Sequence, residues 1–299
     1  MNVLSLFDGI SGAMLSLKLA GIKVNRYFAS EIDKHCLKVS QHNFPNIIQL
    51  GDVKEIRKSK LPKIDLLIGG SPCQDLSNAF KGKGLDGDRS SLFFEFMRLK
   101  KELKPKYFLL ENVKNKWKEE IDQIIDEEGV LINSEYFTAQ YRPRIYWTNI
   151  PIKNPAEIST QNIIDILEDA PINKKYMFNI KLLDDVDTSV KKNSSSSIKK
   201  ICDIPRERLK DNERQRRVYS VLGKSPTLLA RSDTTKILNK KILRKLTPLE
   251  CERLQGIPDN YTKSLSDTQR YKSVGNSFTI PVISHILKGI SKKNNQSYL

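Results

Sequence analysis

The sequence predicts an α/β fold, a parallel β-sheet covered by helices, joined to a second and smaller domain. Three observations carry this reading. Over the first 150 of 299 residues, short β-rich runs alternate with helical patterns, as strands linked by helical crossovers do. Beyond about residue 160 the alternation stops and basic residues accumulate. Glycines and acidic residues gather at the ends of the strand candidates, where open α/β sheets bind their ligands.

The strand candidates, in order, are VLSLF, NRYFASE, IIQLGD, IDLLIGG, YFLLEN, VLINSEYF and RIYWTNI. SSLFFEFMRLKKEL reads as a helix with a serine cap that stops before Pro105. In NKWKEEIDQIIDEEG, residues Trp117, Ile121, Ile124 and Ile125 recur at helical spacing, and Gly129 is placed to end that helix. LTPLECERLQGIPDNY is helical up to a Gly-x-Pro break, and VGNSFTIPVISHILKGI returns to an apolar helix. Between them, the polar stretch KKNSSSSIKK marks a flexible loop near Asn193 to Ser197.

A chain of this length can bury a core without metal or disulfide support. Its four cysteines, Cys36, Cys73, Cys202 and Cys251, are far apart and form no CxxC pair, which argues against a zinc site and a disulfide framework and for a reducing, intracellular setting. MNVLSLFDGIS lacks the basic lead and long apolar run of a signal peptide, and no apolar stretch nears the length of a membrane helix. A soluble protein without a membrane partner is expected. The formal charge of +16 points to a polyanionic partner. From Lys199 to Lys245 fifteen Lys and Arg face five Asp and Glu, so a nucleic-acid contact surface is favoured there over a merely solvated basic face.

The first strand runs into FDGISG. With only Gly9 and Gly12 this is not GxGxxG, so a pyrophosphate cofactor is poorly supported and a simple tight turn explains it equally well. Glu31 follows Gly9 by 22 residues, the interval at which a carboxylate holds a ribose diol. Asp52 ends the third strand, where a turn-forming role is the alternative. Together the three features favour a nucleoside-containing ligand. The fourth strand delivers Cys73 after Gly69, Gly70 and Pro72, a thiol at the ligand-binding edge rather than a buried filler. NAFKGKGLDGDRSS behind it, with three glycines, reads as a loop able to close over a substrate.

Glu111 ends the fifth strand as a candidate proton donor, an ordinary rim carboxylate being the alternative. Arg142 and Arg144 alternate across Pro143 and project to one side of an extended segment. Such a pair suits an anionic or carbonyl-oxygen partner, with surface salt bridges as the competing reading.

FDGISG, SPCQ, ENV, QYRPR and VGNSF occur in this order across both ends of the chain, with the basic segment between the fourth and fifth. In this the chain resembles the DNA (cytosine-5) methyltransferases of bacterial and phage type. The resemblance implies a Rossmann-like, S-adenosylmethionine-dependent methyltransferase fold with a smaller, irregular target-recognition domain. Residues 1–161 would form the catalytic domain, 162–245 the target-recognition domain, and 246–299 a return segment completing the first. The methyl donor would be S-adenosyl-L-methionine and the product S-adenosyl-L-homocysteine.

The resemblance also assigns residues. Phe7, Asp8, Gly9, Ile10 and Gly12 would line the methionine and adenine end of the donor, Glu31 beside Ile32 would take the ribose, and Asp52 beside Val53 the adenine amino group. Pro72, Leu92, Asn276 and Ser277 would complete the pocket. Cys73 would add to C6 of a flipped cytosine, Glu111 would contact N3 and the exocyclic amino group, and Arg144 would hold O2, supported by Gln140 and Arg142. DNA contacts would come from Ser77, Lys81 and Arg89, and from Thr227, Leu228 and Arg231 in KSPTLLARS. The implied partner is double-stranded DNA with a short target site, met by a monomer in the cytoplasm of a bacterium or phage-infected host, with a cognate restriction endonuclease as a candidate companion. A relative acting on tRNA is the enzymatic alternative. Such enzymes typically carry Cys-Phe-Thr where this chain has LECERLQG. A catalytically inactive DNA-binding relative is the other alternative.

Overall fold

The computed structural model describes residues 1–71, 91–169, 171–189 and 197–290. The expected nucleophile Cys73, together with Pro72, Ser77, Lys81, Arg89, the glycine-rich loop and most of the serine-rich loop, lies outside the described residues, as does the serine cap expected ahead of Leu92. The chain divides into two compact units, Met1–Ile132 with Pro143–Asn154 and Ile280–Leu299, and Asn133–Arg142 with Pro155–Thr279. Among the described residues no helix is long and apolar enough to cross a membrane.

The first unit is built on a seven-stranded sheet of order β3-β2-β1-β4-β5-β7-β6. Its strands are β1 (Asn2–Leu6), β2 (Arg26–Ser30), β3 (Ile48–Gln49), β4 (Leu66–Gly70), β5 (Tyr107–Val113), β6 (Val130–Asn133) and β7 (Pro143–Thr148). β1 pairs in parallel with β2 and β4, and β4 with β5. The near-continuous apolar runs of β1, β4 and β5 fit strands covered on both faces. All seven candidates form strands, with two corrections. β7 runs antiparallel to β5, and VLINSEYF is a strand only to Asn133 before a 3-10 turn at Ser134–Tyr136.

Helices α1 (Gly12–Leu19), α2 (Lys34–Asn43), α3 (Ser91–Leu103) and α4 (Lys118–Ile125) cover the sheet. Phe93, Phe96 and Leu99 of α3 lie on one helical face and pack with Leu4, Leu67, Phe108 and Trp147 in the core. α3 ends as Lys104 takes a left-handed conformation before Pro105. α4 ends at a left-handed Asp126, not at Gly129, and Ile124 is exposed. Gly129 serves a different purpose: a Cβ there would stand 2.6 Å from Trp147 Nε1. That indole N–H donates to Asp122 Oδ1 at 2.6 Å, and the Gly129 N–H shares the same oxygen at 3.0 Å.

The second unit contains a four-stranded sheet of order β11-β10-β9-β8, from β8 (Lys200–Asp203), β9 (Arg217–Ser220), β10 (Lys236–Asn239) and β11 (Ile242–Lys245). Ile201, Ile204, Val218 and Leu243 form its small core with Leu183. The sequence did not announce these strands because each spans four residues, too few for a period-2 pattern to register. Around them, 3-10 turns start at asparagines whose side chains cap the turn, as Asn173 does for the Lys175 N–H and Asn179 for that of Lys181. A one-turn helix α5 (Glu213–Arg216) precedes β9.

Helix α6 (Pro248–Leu254) opens with a reciprocal Thr247–Glu250 cap and a proline at its first turn. VGNSF does not open the apolar helix expected of it. Val274–Asn276 closes α7 (Asp267–Asn276), and the apolar helix α8 begins at Ile280 and ends at Leu287. α8 packs against α1 within the first unit, so that unit is discontinuous, while Asn276 and Ser277 belong to the second compact unit.

Candidate active site

In the first unit β1, β2 and β3 end along one rim, beside the β1–β4 junction where the strand order reverses, the usual ligand position in such sheets. After β1 the backbone passes through positive φ at Phe7, Gly9 and Ser11. For the two non-glycine residues this stores strain of about 1–3 kcal/mol each. The Gly9 N–H donates to Glu31 Oε2 at 2.8 Å, while the Ile32 and Asp33 N–H groups donate to Glu31 Oε1 at 2.7 and 2.8 Å. Three backbone donors thus fix the Glu31 carboxylate at the rim and leave acceptor capacity on Oε2. Beside it Ile32 is 73% exposed. Asp52 caps a 3-10 turn through the Lys54 N–H at 3.0 Å, with Val53 buried beneath. Ile10 and Gly12 are buried in the turn and the first turn of α1, and Leu92 packs on the core.

Asp8 is not exposed at this rim. Its carboxyl is buried and accepts from Tyr27 Oη at 2.6 Å and Ser11 Oγ at 2.7 Å, and Ser11 Oγ also lies 2.7 Å from Ser40 Oγ. Burial pushes the Asp8 carboxyl up to about 6 against those donors, and the nearby Glu31 charge adds to the rise. Nothing in the sequence singled out Tyr27 or Ser11.

At the ends of β4 and β5, Gly70 is the register partner of Glu111. Glu111 Oε1 lies 3.1 Å from Arg144 Nε, with both side chains largely buried. The buried Asn112 side chain donates to Ser71 O at 3.1 Å and to Ser71 Oγ at 3.0 Å. It therefore fixes the backbone two residues before Cys73. Asn112 was visible only as the middle letter of ENV.

In the second unit three motifs are laced together. Gln140 is fully buried, donating to Gln255 Oε1 at 3.0 Å and accepting the Leu228 N–H at 2.9 Å. Tyr141 O accepts from Thr227 Oγ1 at 2.9 Å. Arg142, also buried, donates to the carbonyls of Leu228, Gly275 and Ser277 at 3.1, 2.9 and 3.3 Å. Gln255 completes the set: its amide donates to Val274 O and Ser277 O, and its Oε1 also accepts from Thr279 Oγ1 at 2.8 Å. Gly275 is required here, because a Cβ would stand 2.4 Å from Leu229 O. QYR, TLL and VGNS therefore meet through side chains bonded to backbone. Gln140 and Arg142 hold protein groups, whereas Arg144 faces the Glu111 carboxylate. Asn276 is exposed, and the hydroxyl of the buried Ser277 has no partner among the described residues. Arg231 is exposed and paired with Asp233 at 3.0 Å. Cys251, by contrast, is sealed in α6, and burial pushes its thiol up to about 12.

A seven-stranded, mainly parallel sheet with one antiparallel strand near its edge, carrying carboxylates along the rim, defines a Rossmann-like methyltransferase. The structure of the Entamoeba histolytica methyltransferase EhMeth shares this fold, with a TM-score of 0.73 over 98% of each chain at 18% identity. The chain belongs to the C-5 cytosine-specific DNA methylase family, whose sequence pattern matches residues 1–292. It is 34% identical to the type II methyltransferase M1.ScrFI of Lactococcus lactis subsp. cremoris, over 94% of this chain and 76% of that one. It is 31% identical to the type II methyltransferase M.NlaX of Neisseria lactamica, over 94% and 93%. The chain is thus a DNA cytosine-5 methyltransferase.

Proposed function

We propose that the enzyme methylates cytosine within a short, specific site of double-stranded DNA, with Cys73 as nucleophile and S-adenosyl-L-methionine as methyl source. The observation that carries this reading is the rim at β4 and β5, where Glu111 pairs with Arg144 and Asn112 secures Ser71, which precedes Pro72 and Cys73 in the sequence. The residues along β1 to β3 suit that donor. Gly9 leaves open space where a side chain would project, Glu31 retains acceptor capacity for a ribose hydroxyl, and Ile32 offers an uncovered apolar face for a base. When bound, the donor supplies a methyl group made electrophilic by its sulfonium.

Cytosine C5 is too poor a nucleophile to take that methyl unaided. The Cys73 thiolate forms a bond to C6, and the displaced electron pair turns C5 into an enamine-like carbon. Glu111 donates to N3 and accepts from the exocyclic amino group, which stabilises the adduct, while Arg144 donates to O2. Once C5 has gained the methyl it loses its proton, and Cys73 departs with the electrons of the C6–S bond. The cytosine must leave the stack for any of this, at a cost of a few kcal/mol. Phosphate contacts from the basic segment offset part of that cost.

The type II designation of the relatives supports a companion restriction endonuclease and a bacterial or phage-infected cytoplasm as the setting, with the enzyme acting as a monomer. A duplex carrying 5-fluorocytosine at the target tests the mechanism, because fluorine blocks the final elimination. A covalent adduct mapping to Cys73 by mass spectrometry is expected, and an adduct elsewhere, or none, overturns the assignment. Cys73→Ala is expected to abolish methyl transfer while leaving donor binding intact. Bisulfite sequencing of DNA and RNA from expressing cells separates the duplex-DNA reading from one on tRNA.

A further inference from the structure

The second unit contains a cleft of about 290 Å³ lined by side chains of both signs. Arg217 and Tyr219 reach it from β9, Thr227 and Leu229 from the segment secured by Gln140 and Arg142, and Asp233 from the turn before β10. The cleft is neither a filled core nor a plain basic face. Leu229 is 44% exposed, and Tyr141, also in the lining, is 38% exposed.

Arg217 is one-third exposed, and its Nη2 is tied to Glu213 Oε1 at 2.5 Å. Its Nε is buried and finds no partner among the described residues. A guanidinium has five N–H donors in a planar fork, so Glu213 orients the fork without exhausting it. Asp233 is oriented as well, by Arg231 Nε at 3.0 Å and by the Gln215 amide.

A surface that merely follows the phosphate backbone is served by cations alone, and a carboxylate there would repel it. The edge of a G·C pair in the major groove is different. Guanine presents two acceptors, O6 and N7, and cytosine a donor, its N4 amino group. An arginine fork oriented by Glu213 and a carboxylate oriented by Arg231 and Gln215, lining one cleft with the exposed Leu229 and Tyr141, match that edge in sign.

We propose that this cleft reads one G·C pair of the target site, with Arg217 donating to guanine O6 and N7 and Asp233 accepting from the cytosine amino group. The inference rests on the reading of the chain as a site-specific DNA methyltransferase and names the side chains that choose the site.

The test is selection of bound duplexes from a pool with one fixed cytosine and randomised flanks, using the full chain with S-adenosyl-L-homocysteine. Wild type is expected to enrich guanine at a defined position. Arg217→Gln should lose that preference by about tenfold or more while other positions keep theirs, and Asp233→Asn should weaken preference at the same pair. Arg217→Lys, which keeps the charge and the packed stem but not the fork, covers the case in which the glutamine variant does not fold. It should bind with nearly unchanged salt dependence and reduced guanine preference.

Uniformly weaker binding with an unaltered sequence preference would make Arg217 a phosphate contact and overturn the proposal, as would a wild type with no guanine preference. Selective binding without methyl transfer would instead sink the catalytic reading and leave the cleft standing.

Discussion

The two units place their functional groups by different means. In the first, the backbone does the placing. β1, β2, β4 and β5 end along one rim, and N–H groups of the rim hold the Glu31 carboxylate. In the second, buried side chains do it: Gln140, Arg142 and Gln255 reach across up to 133 and 135 residues of sequence to grip carbonyls and amides of other segments. A site made by topology tolerates changes in its neighbours, whereas a site made by side-chain clamps fails when one clamp is lost.

Substitutions can separate these two modes. The largest effect is expected at Glu111→Gln in the first unit. Methyl transfer should fall by about 10²–10⁴-fold, the usual range for a lost general acid or base, and stability should fall as well, because Arg144 loses the partner of a largely buried pair. Unchanged methyl transfer in a variant that still folds would refute the role of Glu111.

Next is Gln255→Leu in the second unit, which removes four hydrogen bonds, to Gln140, Thr279, Val274 O and Ser277 O, and leaves the Thr279 hydroxyl without its acceptor while Gln140 keeps Leu254 O and Ser277 O keeps Arg142. On the order of 4 kcal/mol of stability should be lost, at about 1 kcal/mol for each hydrogen bond removed. Pairing it with Gln140→Leu should return part of the loss in a double-mutant cycle. Strict additivity would show that the two amides act independently.

The smallest effect is at Asp8. Its folded-state value near 6 stands above the ordinary carboxylate value, so the folded chain keeps a proton that the unfolded chain releases. That contribution is complete below about pH 4 and is lost as pH rises through 6, a change of about 3 kcal/mol. Asp8→Asn keeps hydrogen-bonding capacity toward Tyr27 and Ser11 but cannot titrate. Its stability relative to wild type should therefore rise between pH 4 and 6 and level off above, measured by urea unfolding at each pH. A constant difference across that window would refute the assignment.

The same contrast explains what could be read from the sequence. The rim was legible because strands of the first sheet are apolar runs with a glycine or a carboxylate at or near their carboxyl ends, as at Gly9, Glu31, Asp52 and Glu111. Even there the burial of Asp8 was not legible, since its partner Tyr27 sits on a neighbouring strand. The lacing of the second unit left little local trace. Gln255 read as the end of a helix and Gly275 as part of a helix start, because what defines each is a backbone carbonyl more than eighteen residues away. Gly129 was misplaced for the same reason: it looked like a helix stop, while the constraint on it comes from Trp147.

Near the point where the chain leaves the first unit, Lys153 O lies 2.7 Å from His285 Nε2 on α8, and a Cβ on Gly289 would come within 2.3 Å of Pro151 O. The outgoing segment after β7 and the returning α8 segment are therefore clasped side by side. The gap that Pro155–Thr279 must bridge is set by this clasp and not by the length of what fills it, so insertions or deletions there add only a slowly growing closure entropy. Under the proposed function, an interchangeable reader would thus be carried on a fixed chemical frame, and the choice of cytosine would diverge without disturbing the atoms that methylate it.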